Sequence, residues 1–132
     1  MSEKLIFTGK THNTSGRNGV ARSSDGHLDL KLPEPHPAAE NLFGAAWSHC
    51  FMGAIQLAAS QRKVKLSGDP AVDAEIDLNV ADGAYFLRAR LNVSLPGVDR
   101  EVGQALLHAA HGICPYSKAM RGGGVDVSTN LV

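Results

Sequence analysis

The residues best suited to chemistry in this sequence are its two cysteines, Cys50 and Cys114. A cysteine thiolate is a nucleophile, and two thiols that meet can form a reversible disulfide. The start of the chain, residues 1–5, lacks the apolar run of an export signal, so we expect a cytoplasmic location. In that reducing compartment the cysteines are expected to be free, catalytic or redox-active. Their spacing leaves open whether they meet, since cysteine is often only a small buried apolar residue.

Three histidines are further candidates. His108 and His111 lie three positions apart on a predicted helix, a spacing that permits metal binding, but no carboxylate or cysteine motif completes a site there. His49 is next to Cys50, but adjacent residues on a helix point in different directions, which disfavours His49 as a general base. We therefore expect neither a bound metal nor an organic cofactor.

Composition limits the possible partners. The chain has 132 residues, with 13 Lys+Arg, 13 Asp+Glu and a mean hydropathy of -0.11. This length predicts a single domain over 1–132. A net charge of zero disfavours nucleic acid as a partner, because phosphate binding needs an excess of lysine and arginine. The apolar window 42–59 contains Ser48, His49 and Gln56, which are costly in a membrane span, so we expect a buried helix and no membrane partner.

Hydrophobic periodicity predicts the elements that must position the cysteines. The N-terminal part predicts three short strands, at Leu5–Thr11, Val20–Ser23 and Leu28–Leu32. An Asn-Gly turn joins the first two as a hairpin. After a proline-rich loop, residues 38–61 predict one long helix, apolar nearly all round, with Cys50 near its middle. A helix of that kind is expected in the centre of a core.

The second half of the chain predicts an antiparallel pair of strands, at 72–80 and 87–95, joined by a four-residue loop. Two pairs of charges then face each other on what we interpret as a solvated surface: Asp77 with Arg88, and Glu75 with Arg90. Asp99 is expected to cap a second helix, and Ser117 a short helical turn. A closing strand is expected over 125–131. The predicted fold class is α+β, with antiparallel sheets against helices.

The segments around the cysteines resemble the two signatures of the organic hydroperoxide resistance proteins, in the Ohr/OsmC peroxidase superfamily. The first signature is matched by Glu40–Phe51 and the second by Ile113–Gly122, while Leu95–Arg100 and Ser23–Gly26 also fit. The resemblance covers nearly the whole chain. Its Cys-Pro-Tyr-Ser block favours the organic hydroperoxide branch, with the osmotically induced branch as the close alternative. One departure is Ala38-Ala39, where the family usually has Asn-Pro.

The resemblance implies a thiol peroxidase that reduces organic hydroperoxides to alcohols. In it, Cys50 takes the peroxidatic place, Cys114 the resolving place, and Arg17 and Glu40 match the family's active-site arginine and its carboxylate partner. It also implies a dithiol reductant, with dihydrolipoyl groups on lipoylated proteins favoured. The implied fold has antiparallel sheets around a long buried central helix, in an intimately associated homodimer.

The implied chemistry needs a cation beside Cys50. At an unperturbed pKa of about 8.5, only about 3% of a cysteine is thiolate at pH 7. Burial in the helix raises that pKa further, because desolvation penalises charge. Arg17 is the candidate to oppose this effect, and its planar guanidinium has enough donors to contact both the sulfur and the peroxide oxygens.

The position of Glu40 raises a geometric question. In an unbroken helix, the ten residues between Glu40 and Cys50 span about 15 Å, more than a glutamate side chain reaches. Either the helix breaks near Gly44, or Glu40 serves the cysteine of another subunit. The apolar character of the helix favours the second possibility, a homodimer with composite sites.

Apolar residues are expected to select the substrate. On a helix, Cys50 shares its face with candidate substrate-binding residues that include Phe43, Trp47 and Leu57. Apolar walls favour alkyl or lipid hydroperoxides over hydrogen peroxide. Two alternatives stay open: a noncatalytic dimer that holds an apolar ligand in the same cavity, and a structural dimer with inert cysteines.

Overall fold

A computed structural model of the chain describes residues 2–34, 39–122 and 124–132. The chain divides into two compact units, Met1–Ala39 and Glu40–Val132. Each unit contains its own antiparallel sheet. The described helices belong to the second unit, except that the first helical residue, Ala39, is the last residue of the first unit. The single domain over 1–132 stays a prediction. Most of the proline-rich loop, and Ala38 as first helical residue, lie outside the described residues.

The N-terminal unit is a three-stranded sheet of order β1-β2-β3, formed by β1 (Thr11–Thr14), β2 (Val20–Ser23) and β3 (Asp29–Lys31). The position predicted for the first strand is wrong at its start, since Leu5 and Phe7 are irregular and 79% and 75% exposed. The hairpin turn fixes the register so that Thr11 pairs with Ser23, the last residue of β2. Residues before Thr11 therefore extend past the end of their partner strand.

Helix α1 (Ala39–Gln61) confirms the long helix, but only one side of it is buried within the chain. The buried stripe consists of Gly44, Ser48, Phe51, Ala54, Ile55, Ala58 and Ala59. Gly44 lets α1 lie close to the strand of the same unit that contains Ile76, because a Cβ on Gly44 would sit 3.3 Å from the Ile76 side chain. On the other side, small residues and Leu57 are exposed, so the expected burial on every face is not reached. By length and composition α1 could also cross a membrane, although Phe51 and Ile55 are packed inside the protein.

The two strands β4 (Ala71–Ala81) and β5 (Ala84–Ser94) form the predicted antiparallel hairpin in the predicted register. The loop is tighter than the four residues expected, because Ala81 and Ala84 pair and leave only Asp82 and Gly83 in the turn. Both turn residues have positive φ, 51° and 78°, as a two-residue type I′ turn requires. The additional pair, Ala81 with Ala84, extends the same register by one residue on each strand. The side chains predicted to face the core therefore still do so.

The polar face of this hairpin is solvated, as predicted. Arg90 is opposite Glu75 in the register, yet it donates to both carboxylate oxygens of Asp77, each at 2.8 Å. Arg90 holds the pKa of Asp77 below its ordinary value, chiefly through these hydrogen bonds. Arg90 thus pairs with Asp77 and, at 3.4 Å, with Glu75, whereas Arg88 lies over the Phe86 ring.

Two helices complete the C-terminal unit. Asp99 caps α2 (Arg100–Ile113), as predicted, by accepting a hydrogen bond from the Val102 backbone N–H at 2.9 Å. The predicted Ser117 cap is wrong, since α3 (Pro115–Met120) is capped by Cys114. The closing strand is also wrong within the described residues, where 124–132 are irregular and exposed. Apolar alternation alone does not make a strand, because a strand also needs a neighbouring edge to bond.

Candidate active site

The two cysteines lie side by side. Cys50 Sγ, near the middle of α1, is 3.0 Å from Cys114 Sγ at the junction of α2 and α3. Both are free thiols. A disulfide bond is about 2.05 Å long, so these sulfurs need to approach by only about 1 Å to form one. The question that the sequence left open, whether the cysteines meet, is answered by their contact.

Packing around the pair comes from three elements. Phe51 and Ile55 of α1 form a buried cluster with Ala110 of α2 and Cys114, and Leu91 of β5 packs against it. This cluster fixes α2 against α1 and so sets the distance between the sulfurs. The Cys114 side chain is fully buried, whereas Cys50 is only half-buried. A reagent from solvent therefore reaches Cys50 first.

The environment of the two thiols differs electrostatically. Burial raises the pKa of Cys50 above its ordinary value, and its hydrogen bond with Cys114 raises it further. Burial also raises the pKa of Cys114, but hydrogen bonds from Cys50 and Ser117 outweigh it and bring that pKa below its ordinary value. One of these bonds is from the Ser117 backbone N–H to Cys114 Sγ, at 3.5 Å. Within the described part of the C-terminal unit, no lysine or arginine contributes to the pKa of Cys50.

A buried serine connects Cys114 to two aromatic side chains. Ser117 is 1% exposed, and its Oγ accepts a hydrogen bond from Trp47 Nε1 at 3.0 Å. The same oxygen is 2.9 Å from His111 Nδ1. The His111 ring packs against the Phe51 ring, with centroids 4.3 Å apart. Ser117 is thus bonded through its N–H to the sulfur and through its hydroxyl to an imidazole.

A cleft of about 370 Å³ adjoins this network. Its lining is mostly apolar and consists of Phe43, Trp47, Leu87, Ala89 and Met120, together with Arg88, His111, Ser117 and Arg121. The Phe43 and Trp47 rings lie 5.7 Å apart and form one wall. Trp47 also packs against the buried cluster around the cysteines. Neither cysteine lines the cleft, but Trp47 and Ser117 do, so the cleft can hold an apolar group next to two residues that contact the cysteines or the cluster around them.

Comparison with known proteins decides the family. A family model described as OsmC-like protein matches residues 32–130. The organic hydroperoxide resistance protein of Xanthomonas axonopodis pv. citri is 36% identical over 98% of this chain and 96% of its own length. This chain belongs to the organic hydroperoxide resistance family of OsmC-like proteins.

Solved structures agree with that assignment. The crystal structure of OhrB from Bacillus subtilis superposes with a TM-score of 0.77 at 34% identity, covering 89% of this chain and 93% of OhrB. An organic hydroperoxide resistance protein from Elizabethkingia anophelis, with thiocyanate bound, gives a TM-score of 0.78 at 33% identity, over 91% and 92% of the two chains. The resemblance seen in the sequence is confirmed, as is the α+β fold with two antiparallel sheets and a long helix.

The other residues matched to the organic hydroperoxide resistance family lie in different elements. Arg17 follows Gly16 in the turn between β1 and β2, in the N-terminal unit. Glu40 is in the first turn of α1. Because α1 is continuous from Ala39, the possible helix break near Gly44 is wrong, and Glu40 lies about 15 Å along the axis from Cys50 of its own chain.

The predicted substrate-binding residues separate into two groups. Phe43 and Trp47 line the cleft. Leu57 lies outside the cleft lining and is 48% exposed, ten residues or about 15 Å further along α1 than Trp47. For Leu57 a substrate role stays a prediction.

Sequence reasoning missed the roles of Ser117 and His111. It assigned Ser117 to a helix cap and weighed His111 only as a metal ligand. Within the described ranges no group of three metal-ligating side chains comes together. A signal was present, since His111 and Ser117 flank Cys114 at three residues on each side, where a helix ends and another begins.

Proposed function

We propose that this protein is a thiol peroxidase that reduces organic hydroperoxides to alcohols. The observation that carries the proposal is the 3.0 Å separation of the Cys50 and Cys114 sulfurs, in a chain of the organic hydroperoxide resistance family. In the first step the Cys50 thiolate attacks the outer oxygen of the hydroperoxide. The O–O bond breaks, the alkoxide takes up a proton and leaves as alcohol, and Cys50 becomes a sulfenic acid.

Cys114 then closes the catalytic half-cycle. Its sulfur attacks the Cys50 sulfur, an S–S bond forms, and the sulfenic oxygen leaves as water. This condensation protects Cys50 from irreversible over-oxidation. A dithiol reductant reopens the disulfide by exchange, and we assign this role to dihydrolipoyl groups on a lipoylated protein.

Accessibility supports Cys50 as the sulfur that meets the peroxide. Acidity alone would favour Cys114, whose pKa lies below its ordinary value while that of Cys50 is raised by burial. Cys114 is completely buried, however, and Cys50 is not. A peroxide that cannot contact a sulfur cannot react with it, so access decides the order. Cys50 then needs a positive partner to ionise.

Arg17 is the proposed partner of Cys50. A guanidinium next to the sulfur lowers the thiol pKa, and its remaining N–H groups can orient the peroxide and stabilise the departing alkoxide. Glu40 would hold the guanidinium in place through a bidentate ion pair. Since Glu40 is about 15 Å along α1 from its own Cys50, we propose that it acts on the cysteine of a second subunit.

The cleft supports an apolar substrate. Phe43, Trp47 and Leu87 offer carbon surface to an alkyl or lipid chain, which hydrogen peroxide lacks. Burying such a chain contributes about 25 cal/mol per Å². We therefore expect organic hydroperoxides to be preferred over hydrogen peroxide at equal concentration.

Exposed apolar surface supports a homodimer. At the turn end of the β4–β5 hairpin, the core-side face continues as exposed residues, which we call the hairpin-tip face: Leu78, Val80 and Tyr85. The outer side of α1 adds Leu57 and several small residues. Apolar patches of this kind mark association sites. A second copy of the chain would cover both and bring Glu40 to a neighbouring site.

A charge on the hairpin-tip face should dissociate this dimer. Leu78 is 55% exposed, so Leu78→Asp should leave the monomer folded while placing a carboxylate in the interface. We expect a monomer by native mass spectrometry and at least about tenfold lower peroxidase activity. Asp73→Lys, on the polar face of the same strand, is the control and should stay dimeric. A dimeric, fully active Leu78→Asp protein would refute the interface.

Stoichiometric oxidation tests the proposed reaction. Reduced protein receives one equivalent of cumene hydroperoxide, and its thiols and disulfides are mapped by mass spectrometry. We expect one equivalent of alcohol and a Cys50–Cys114 disulfide. Two titratable thiols and unchanged peroxide would instead indicate a noncatalytic binding protein or inert structural cysteines.

Removal of the second thiol should separate the two steps. Cys114→Ser is expected to complete one turnover and to accumulate sulfenic acid at Cys50, which dimedone traps. Steady-state cycling with a dithiol should fall at least about tenfold, because an intramolecular reaction is replaced by a bimolecular one. Unchanged cycling in this variant would exclude Cys114 as the resolving residue.

A further inference from the structure

We propose that His111 accepts the proton of the Cys114 thiol, relayed by the Ser117 hydroxyl, when the disulfide forms. The inference rests on the proposed function, in which Cys114 must attack a sulfenic acid at Cys50. A thiolate and not a thiol performs that attack, so the Cys114 proton needs an acceptor. Cys114 is fully buried, and bulk water therefore does not reach it directly.

The hydrogen bonds of Ser117 define the relay. Its Oγ accepts from Trp47 Nε1, which can only donate, and this fixes one side of the hydroxyl. The single hydroxyl hydrogen is then available to His111 Nδ1 at 2.9 Å. On the other side, the Ser117 backbone N–H donates to Cys114 Sγ at 3.5 Å, and a hydrogen bond from the Ser117 side chain is among the causes that lower the pKa of Cys114. A hydroxyl held between a thiol and an imidazole in this way can pass a proton by exchanging its own.

The transfer balances as follows. The Cys114 S–H proton moves to Ser117 Oγ, while the Ser117 hydrogen moves to His111 Nδ1, leaving a thiolate and an imidazolium. The thiolate attacks the Cys50 sulfur, the S–S bond forms, and the S–O bond breaks. The leaving hydroxide becomes water with a proton from solvent, and His111 returns its proton to solvent. Cys114 is oxidised, the Cys50 sulfur is reduced, and the net products are a disulfide and one water.

His111 is set up to be neutral before the transfer. Its pKa is lowered from the ordinary value by partial burial, and then by the charges of Arg121 and His108. Arg121 also donates to the His111 carbonyl oxygen at 2.7 Å, and Arg88 of β5 lines the same cleft. On its α1 side the imidazole packs against the Phe51 ring, which carries no titratable group. Disulfide formation should therefore slow as pH falls through the lowered pKa of His111 and be independent of His111 above it.

The test is the rate of disulfide formation in His111→Asn. Asparagine can place an acceptor oxygen near the position of Nδ1 and keep the hydrogen bond to Ser117, but it cannot take up a proton. Reduced protein is mixed with cumene hydroperoxide and quenched with acid. Intact mass then separates the sulfenic acid, heavier by one oxygen, from the disulfide. At pH 7 we expect sulfenic acid to form at the normal rate and disulfide to form about 10²-fold more slowly, the lower end of general-base effects.

The matched control is His108→Asn, on the same helix. It removes the neighbouring charge but leaves the Ser117 relay, so disulfide formation should keep its rate, with its acid limb moved to slightly higher pH. In the wild-type protein, the midpoint of that limb should match the His111 pKa measured by NMR. Equal rates and pH profiles of disulfide formation in the wild-type protein and in His111→Asn would overturn the relay. A midpoint of the acid limb that differs from the measured His111 pKa would also overturn it. If the wild-type protein forms no sulfenic acid, the proposed function itself fails.

Discussion

Replacement of Cys50 by serine is expected to abolish turnover of organic hydroperoxides. A serine hydroxyl stays protonated at neutral pH and has no sulfenic or disulfide state, so both steps of the cycle are lost. Enzymes commonly exceed the uncatalysed rate by about 10⁶-fold or more, and we expect kcat/KM to fall by at least about 10⁴-fold. Peroxide consumption with cumene hydroperoxide and a dithiol measures this. The thermal midpoint should change little, because Cys50 is only half-buried.

Comparison of Cys50→Ser with Cys114→Ser distinguishes access from acidity. The structure gives Cys114 the lower pKa and Cys50 the greater exposure. If access decides, Cys114→Ser completes one turnover and Cys50→Ser none. The reverse outcome, one turnover in Cys50→Ser, would assign the peroxidatic role to the buried cysteine and contradict the mechanism.

Much of the fold could be predicted because short-range rules agree with each other. The register of the β4–β5 hairpin follows from keeping both apolar sets on one face, and it survives a turn shorter than expected. The Asp99 cap follows from one side chain and one backbone N–H. The long helix follows from apolar residues at helical spacing and a lack of breakers. These features depend on residues that are close in the chain or directly paired across a turn.

The parts that residue patterns alone did not predict depend on distant partners. Residues 125–131 alternate like a strand, yet alternation cannot say whether a sheet edge is available. The meeting of Cys50 with Cys114 depends on how α2 docks against α1, and only the resemblance to a family predicted it. Ser117 was misread for the same reason, since its main partners, Trp47 and His111, come from two other helices.

Cys50 is the more exposed thiol but has the higher pKa, so a cation must reach it for its thiolate to form. Replacing Arg17 is therefore the second decisive experiment. Arg17→Lys keeps the charge but loses the planar guanidinium that could contact sulfur and peroxide together. We expect kcat/KM to fall about 10²-fold, as when one preorganised donor to a developing charge is lost. The pH at which the rate is half-maximal should move little, because a cation remains.

Arg17→Gln should lower the activity more than Arg17→Lys does, and the loss should depend on pH. Without the cation the pKa of Cys50 rises, so the rate should fall by a further ~30-fold or more at pH 7 and recover as pH increases. Arg22→Lys is the matched control: Arg22 lies in the same unit, on β2, and is paired with Asp29 at 3.1 Å. It should keep nearly full activity. If Arg17→Gln and Arg22→Lys behaved alike, Cys50 would have to ionise without Arg17, and the proposed role of Arg17 would be refuted.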